Sequence, residues 1–432
     1  MDQGLRIETL WEGLEFGSPE TRATYAALGI RVGDRWVTEI EDRLAGRTRR
    51  HSSLPAYHFA EWLIWNWWRL RWEPFRRTSN WDLAHKTATI GGGWIWPNIT
   101  IVTDGERIIL DPAPTEPRPS QPLRYLSSQS LSVSATDFET AIDDFVGSVM
   151  ERLNVCGVGS TNLADLWQAL AVERADPRLA RFRKLEALLG WDPGEADDAL
   201  IEQLEAESEE LGAEAVEELA AEGAGERAPL GRAELVELVN RNGISGQSGD
   251  AAVLGDGYRE SRMETSAWRR GVRAARALHA LEKLGDDVVT DDRLCELAGV
   301  MKRAAAASAT GAPLSFELSE PAARSNIVLR SRHRNGRRFD LARILGDRIL
   351  EENGEHLRPV TRSRTHRQKA QIGFAAELLC PIESLVTVLA GDLAEDAYED
   401  AADHFGVTAG IVELQLLGNR IIERRDTLKS LM

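Results

Sequence analysis

The sequence predicts an α+β protein that is predominantly helical. Three observations carry that expectation: a tryptophan-rich helical run, a hairpin signal just after it, and helical patterns that dominate from Ser134 onward. The run is HFAEWLIWNWWRLRWEP, His58 to Pro74, in which Trp65, Trp68 and Trp72 recur at three- and four-residue steps and so share one helix face. Pro74 stops it, because proline lacks the amide that would continue the ladder.

The next stretch, WIWPNITIVTDGERIILDPAP, places Asp104-Gly105 between two β-rich runs, Ile99 to Thr103 and Glu106 to Leu110. Asp-Gly in that setting is a strong hairpin signal, since a tight primed turn needs positive φ. The N-terminal unit is therefore α+β with a β-hairpin, spans residues 1–125, and ends in the proline-rich stretch Pro112 to Pro122. Of 13 tryptophans, nine lie between Trp36 and Trp96, which reads as a large aromatic core rather than a stacking platform for bases or sugars.

A helical middle region follows over 126–240. Thr136 to Glu139 has the form of a capping box opening a helix through Leu153, and a second helical stretch runs from Asn162 to Leu189. From Trp191 to Glu226 there are 14 acids and no lysine or arginine, with Leu200, Leu204, Leu211, Val216 and Leu219 at roughly helical spacing. One or two amphipathic helices ending near Gly223 and Gly225 fit that pattern. They serve either as a solvated connector or as a docking surface for a basic partner. From Gly243 the chain reads as loop (GISGQSGDAAVLGDG), which sets a boundary near 225–255 and a third domain over 250–432.

The formal charge of -17 comes from 69 acids against 52 bases, and the acidic segment supplies -14 of it. The rest of the chain is nearly neutral, so global charge does not exclude nucleic acid. A basic strip lies downstream: Arg330 to Lys369 holds 12 Lys/Arg and five Asp/Glu. Arg332, Arg334, Arg337, Arg338, Arg362, Arg364 and Arg367 are its candidates for binding nucleic-acid phosphates, or for pairing with the acidic segment inside the molecule. Hydrophobic content of 43% with 28% charged residues is that of a soluble globular chain. No stretch approaches about 18 consecutive apolar residues, and the N-terminus lacks the pattern of a signal peptide, so no membrane partner is expected. Three separated cysteines (Cys156, Cys295, Cys380) without a CxxC pair argue against a disulfide framework and a thiolate zinc cluster, and for the cytoplasm.

Two segments stand out in the last hundred residues: Arg337-Arg-Phe-Asp-Leu-Ala-Arg-Ile-Leu-Gly-Asp347 and Gln371-Ile-Gly-Phe-Ala-Ala-Glu-Leu-Leu-Cys-Pro381. Together they resemble the ImmA/IrrE family of zincin-like metallopeptidases, which cleave regulatory proteins in bacteria and their mobile elements. Arg338-Phe339, Leu341-Ala342 and Leu345-Gly346 match scaffold positions of the family's active-site helix, roughly R-F-T-L-A-H-E-L-G-H. Phe374-Ala375-Ala376, Leu378-Leu379 and Pro381 match its later helix, and Ala401 to Ile422 looks like its closing helices. The resemblance covers about residues 250–432, including Trp268-Arg-Arg-Gly271, and implies a C-terminal zincin-like domain with closing helices.

The metal chemistry of the family is missing. A HExxH helix puts two histidines on one face for one zinc, with the glutamate as base on the metal-bound water. Here those three positions are Arg343, Ile344 and Asp347, and the third ligand falls near Ala370 or Gln371. The eight histidines (51, 58, 85, 279, 333, 356, 366 and 404) include no helical pair. A fixed cation at a ligand position repels Zn²⁺, so no metal and no cofactor are expected. Arg343 and Asp347, spaced i, i+4, are expected to form an ion pair that fills the former metal site.

The leading expectation is a catalytically degenerate member that acts by protein binding in bacterial regulation, stress response or mobile-element and phage defence. The N-terminal tryptophan-rich unit is its expected sensor or recognition part. The alternatives are an active metallo-endopeptidase with a non-standard site built on Asp347 and Glu377 with histidines from elsewhere in the fold, and a DNA-binding regulator using the strip 330–369. The tail also resembles a helix-turn-helix, with Thr408 as a cap after Phe405-Gly-Val, but Asp392, Glu395, Asp396, Glu399, Asp400 and Asp403 on its first helix repel phosphates. That favours packing or protein contact.

Overall fold

The computed structural model describes residues 4–118, 121–223, 228–255, 266–285, 288–301, 311–320, 324–351 and 354–422. It is α+β, and the chain divides into two compact units at 197/198. The sequence boundaries at 125 and 240–250 fall inside these units. The three helices between 135 and 189 belong to the first unit because their apolar faces, with Phe138, Phe145, Leu163, Leu170 and Ala187, enter the tryptophan-rich core.

Unit 1 runs β1 (Leu5–Trp11), α1 (Pro19–Ala23), β2 (Tyr25–Val32), β3 (Arg35–Trp36), β4 (Ile40–Asp42), β5 (Arg47–Arg49) and β6 (Ser52–Pro55). Three helices follow, α2 (Ala56–Trp65), α3 (Trp67–Trp72) and α4 (Ser79–His85), then β7 (Asn98–Thr103), β8 (Arg107–Ala113), β9 (Leu123–Tyr125) and β10 (Leu131–Ser134). It closes with α5 (Ala135–Val155), α6 (Asn162–Ala175) and α7 (Pro177–Leu189). Antiparallel pairing gives three small sheets, β2 with β1, β3 and β6; β4 with β5 and β9; and β8 with β7 and β10.

The expected hairpin is β7–β8. Gly105 takes φ +97°, the Asp104 amide donates to the Arg107 carbonyl at 3.2 Å across the turn, and Asp104 Oδ1 accepts from the amides of Glu106 and Arg107, so the aspartate side chain organises it. Other local expectations shift. The tryptophan run is two helices broken at Asn66, whose amide side chain donates to the Trp62 carbonyl at 2.8 Å. Trp65 is therefore 54% exposed, while Trp67 and Trp68 are buried. Helix α5 starts two residues before the expected capping box, because Ser134 accepts from the Asp137 amide. The stretch 162–189 is two helices, since Asp176 caps a second one whose first residue is Pro177.

Unit 2 opens with the acidic helices α8 (Asp198–Leu211) and α9 (Ala213–Gly223), separated at Gly212, φ +107°. Next come α10 (Arg232–Asn242), β11 (Ile244–Gln247), α11 (Ala267–Glu282), α12 (Asp291–Leu297), β12 (Ser315–Glu320), β13 (Arg324–Val328), α13 (Arg334–Leu350), β14 (Leu357–Val360), α14 (His366–Leu379), α15 (Ile382–Leu389), α16 (Glu395–Phe405) and α17 (Ala409–Gly418). The stretch after Gly243 that reads as loop contributes β11, an edge strand whose partner β13 a local pattern does not reveal. The antiparallel sheet has the order β11-β13-β12-β14, and α13 and α14 lie in the core with Leu341, Ile344, Leu345, Phe374 and Leu378 wholly buried. Thr408 precedes α17 without the side-chain cap bond expected of it.

Among the described residues no single helix is long and apolar enough to cross a membrane. Only α14 and α15 taken together pass in length and composition, as a pair bent by 53°. The three cysteines are unpaired, and Cys295 and Cys380 are buried.

Helices α11 and α14 meet backbone to backbone. A Cβ on Gly271 would lie 2.0 Å from the Ala370 carbonyl oxygen, and one on Gly373 would lie 2.5 Å from that of Trp268. Gly271→Ala is therefore expected to destabilise unit 2 by about 2–3 kcal/mol. Gly147→Ala in α5, where nothing lies within 4 Å, is expected to be neutral or to stabilise by up to about 1 kcal/mol. Urea unfolding of both variants, compared with the parent, checks the contrast.

Candidate functional site

The two family-like segments fall on α13 and α14 and meet where Gly346 lets the Phe374 ring approach; a Cβ there would stand 2.7 Å from the ring. Asp347, 1% exposed, is the centre of this junction. Its Oδ1 accepts from Arg367 Nε at 2.8 Å and Gln371 Nε2 at 2.7 Å, and its Oδ2 accepts from Arg367 Nη2 at 2.6 Å. Arg358 Nη1 stands 3.5 Å from the same Oδ2. Burial alone would push the Asp347 carboxyl up, but the Arg367 guanidinium outweighs it and holds the group below its ordinary value.

Arg343 and Asp347 do not pair. The planar fork of Arg367 fits the carboxylate bidentately and, with Gln371, saturates it, while Arg343 Nη2 donates to the Thr361 carbonyl at 2.9 Å and to Gln368 Oε1. Arg343 is buried, its Nε has no hydrogen-bond partner, and no carboxylate lies within ion-pair distance of it among the described residues. Burial, with Arg330 nearby, lowers its ionisation to about 10, a cation under strain. Ile344 and Ala370 are wholly buried apolar contacts with no chemistry to offer.

The acidic segment closes onto the basic strip. Glu218 of α9 accepts from Ser363 Oγ at 3.1 Å and Thr361 Oγ1 at 3.4 Å, and Glu222 accepts from the Arg362 amide at 2.6 Å. Glu355 joins both sides: it accepts from the Glu214 and Ala215 amides at the start of α9 and from Arg367 Nη1 at 2.7 Å. Burial pushes the Glu218 carboxyl up to about 7, against the pull of Arg367 and the neighbouring hydroxyls. Of the two sequence readings of 191–226, connector or surface for a basic partner, the helices answer a basic partner within their own chain.

The candidate arginines separate accordingly. Arg334 and Arg338 both pair with Asp291, Arg338 also donating to the Gly406 and Val289 carbonyls, and Arg337 donates to the Arg332 carbonyl. Arg367 holds Asp347 and Glu355. Arg332 and Arg362 are exposed, and Arg364 is partly buried. Glu377, the other carboxylate considered for a non-standard site, accepts from Arg276 Nε at 2.6 Å and Gln415 Nε2 at 2.9 Å. Residues that sequence reasoning missed are Glu218, Glu355, Arg358 and Gln368. Charge complementarity between the two segments was the available signal, without a register.

The donors at this junction do not fit a divalent cation. Both oxygens of Asp347 already accept hydrogen bonds, two guanidiniums stand within 3.5 Å, and among the described residues no three His, Cys, Asp or Glu side chains are grouped to hold a metal. No family model, no curated protein and no solved structure matches this chain.

Two outcomes follow from the charge arrangement. Arg343→Met, which removes a buried cation lacking a carboxylate partner, is expected to leave stability within about 1 kcal/mol of the parent or to raise it, as thermal unfolding would show. For Glu218, a carboxyl raised in the folded state favours the folded form while protonated. Its contribution is complete below the ordinary value of 4.5 and disappears as pH rises through about 7. Glu218→Gln should therefore gain stability relative to the parent as pH rises from 5 to 8, by up to about 3 kcal/mol; denaturant midpoints across that range check the slope.

Proposed function

We propose that the C-terminal part, about residues 250–432, is a catalytically degenerate zincin-like domain of the ImmA/IrrE type, and that the protein acts by binding another protein in bacterial regulation, stress response or mobile-element and phage defence. The observation that carries this reading is the saturation of Asp347. At the place where the family resemblance would put a metal ligand, a carboxylate is locked by Arg367, Arg358 and Gln371. The contact of Gly346 with Phe374 supports the resemblance itself, because it joins two motifs read independently from the sequence.

A metallo-endopeptidase built on Asp347 and Glu377 has less support, since both carboxylates are already engaged by arginines. Regulation through DNA has less support because Arg334, Arg338 and Arg367 are spent on internal carboxylates. For the N-terminal unit, recognition of the partner is supported by exposed apolar surface at Trp65 and Leu83, the latter accepting from Trp62 Nε1 through its carbonyl at 3.3 Å. Unpaired thiols support a reducing compartment, in keeping with the cytoplasm.

The test combines elemental analysis with co-purification from the source cell. The expected result is zinc well below one equivalent and a partner recovered intact. Stoichiometric zinc, with a partner recovered as fragments whose appearance a chelator suppresses, would contradict the reading.

A further inference from the structure

We propose that the cleft at the start of α13 binds a small phosphorylated molecule of nucleotide size. This cleft of about 400 Å³ is lined on its polar side by Arg330, Arg332, His333 and Arg362, and on its apolar side by Phe339 and Ile411. The cations come from two places in the chain, the connection between β13 and α13 and the residue two past the end of β14, so the fold assembles them.

Most of the basic strip is consumed internally, but Arg332 and Arg362 are not. The side chains of Arg332 and Arg362, both exposed, make no ion pair or hydrogen bond among the described residues, and Arg330 makes a long ion pair, 4.0 Å, with Glu222. Two carboxylates face the group: Glu222, already accepting from the Arg362 amide, and Asp340, which accepts from Ser315 Oγ at 2.7 Å. Three guanidiniums in one cleft repel one another, and a multiply charged oxyanion relieves that repulsion while accepting their forked donors. Asn335 and Gly336, in the first turn of α13, also line the cleft, and that helix has no side-chain cap, so its first amides add to the attraction for an anion.

Shape selects the ligand class. The volume is that of a small-molecule site, and Phe339 with Ile411 offers a wall for a planar or apolar body behind the phosphate. A nucleic-acid duplex fits poorly, because α16, which leads directly into the Thr408 and Ile411 side of the cleft, exposes Glu395, Asp396, Glu399, Asp400 and Asp403.

Titration calorimetry of the full chain with pyrophosphate and with adenosine monophosphate tests it. Saturable binding is expected for both, weakened at least roughly tenfold by Arg332→Ala and by Arg362→Ala, substitutions of exposed side chains that leave the core untouched. Arg118→Ala in unit 1 should leave it unchanged. No binding of either probe at millimolar concentration, or binding indifferent to both substitutions, would overturn the proposal. So would a short DNA duplex that binds more tightly than either probe and is lost in the same two variants.

Discussion

Unit 2 is organised around a buried carboxylate held by a two-pronged guanidinium, Asp347 on α13 with Arg367 on α14. Both groups are almost fully desolvated, which costs several kcal/mol per ion unless geometry and further hydrogen bonds offset it. The offset is visible: Gln371 and Arg358 complete the shell of Asp347, and Glu355 takes the remaining prong of Arg367. Because Glu355 also accepts from the first amides of α9, one chain of charge-assisted bonds joins α13, α14, the segment ahead of β14 and the acidic helix.

That chain explains why a molecule with so uneven a charge distribution folds as it does. The acidic helices place Glu218 and Glu222 against the strip, while Asp198, Glu202, Glu209, Glu210 and Glu214 are exposed. Burial holds the Glu218 carboxyl up to about 7, which makes the seam between α9 and the strip sensitive to pH. On the proposed reading, a fold that a metal would otherwise pin together is pinned by side chains, and the position freed from catalysis carries structural charge instead.

The α+β class, the β7–β8 hairpin and the amphipathic acidic helices were legible because each rests on local chemistry: an Asp-Gly turn, apolar periodicity, a glycine at the helix end. Helix breaks were less legible, because Asn66 and the Asp176-Pro177 step interrupt patterns whose apolar residues continue through them. Strand β11 was invisible, its pairing with β13 being a contact across 80 residues of sequence. At the candidate site the expected pairing of Arg343 with Asp347 does not form. Spacing on one helix suggested Arg343 for Asp347, whereas the partner is Arg367, 20 residues away, which presents its planar fork from the neighbouring helix. Periodicity within an element says which side chains share a face; it does not say which cation from another element arrives there with better geometry.

The central claim is that the Asp347–Arg367 pair, and not Arg343–Asp347, holds the junction. Its most direct test is a pair of double-mutant cycles on unfolding free energy, using Asp347→Asn with Arg367→Gln and Asp347→Asn with Arg343→Gln. A coupling of about 2–3 kcal/mol is expected in the first cycle and one within about 0.5 kcal/mol of zero in the second. The reverse pattern, or no coupling in either cycle, would contradict the account.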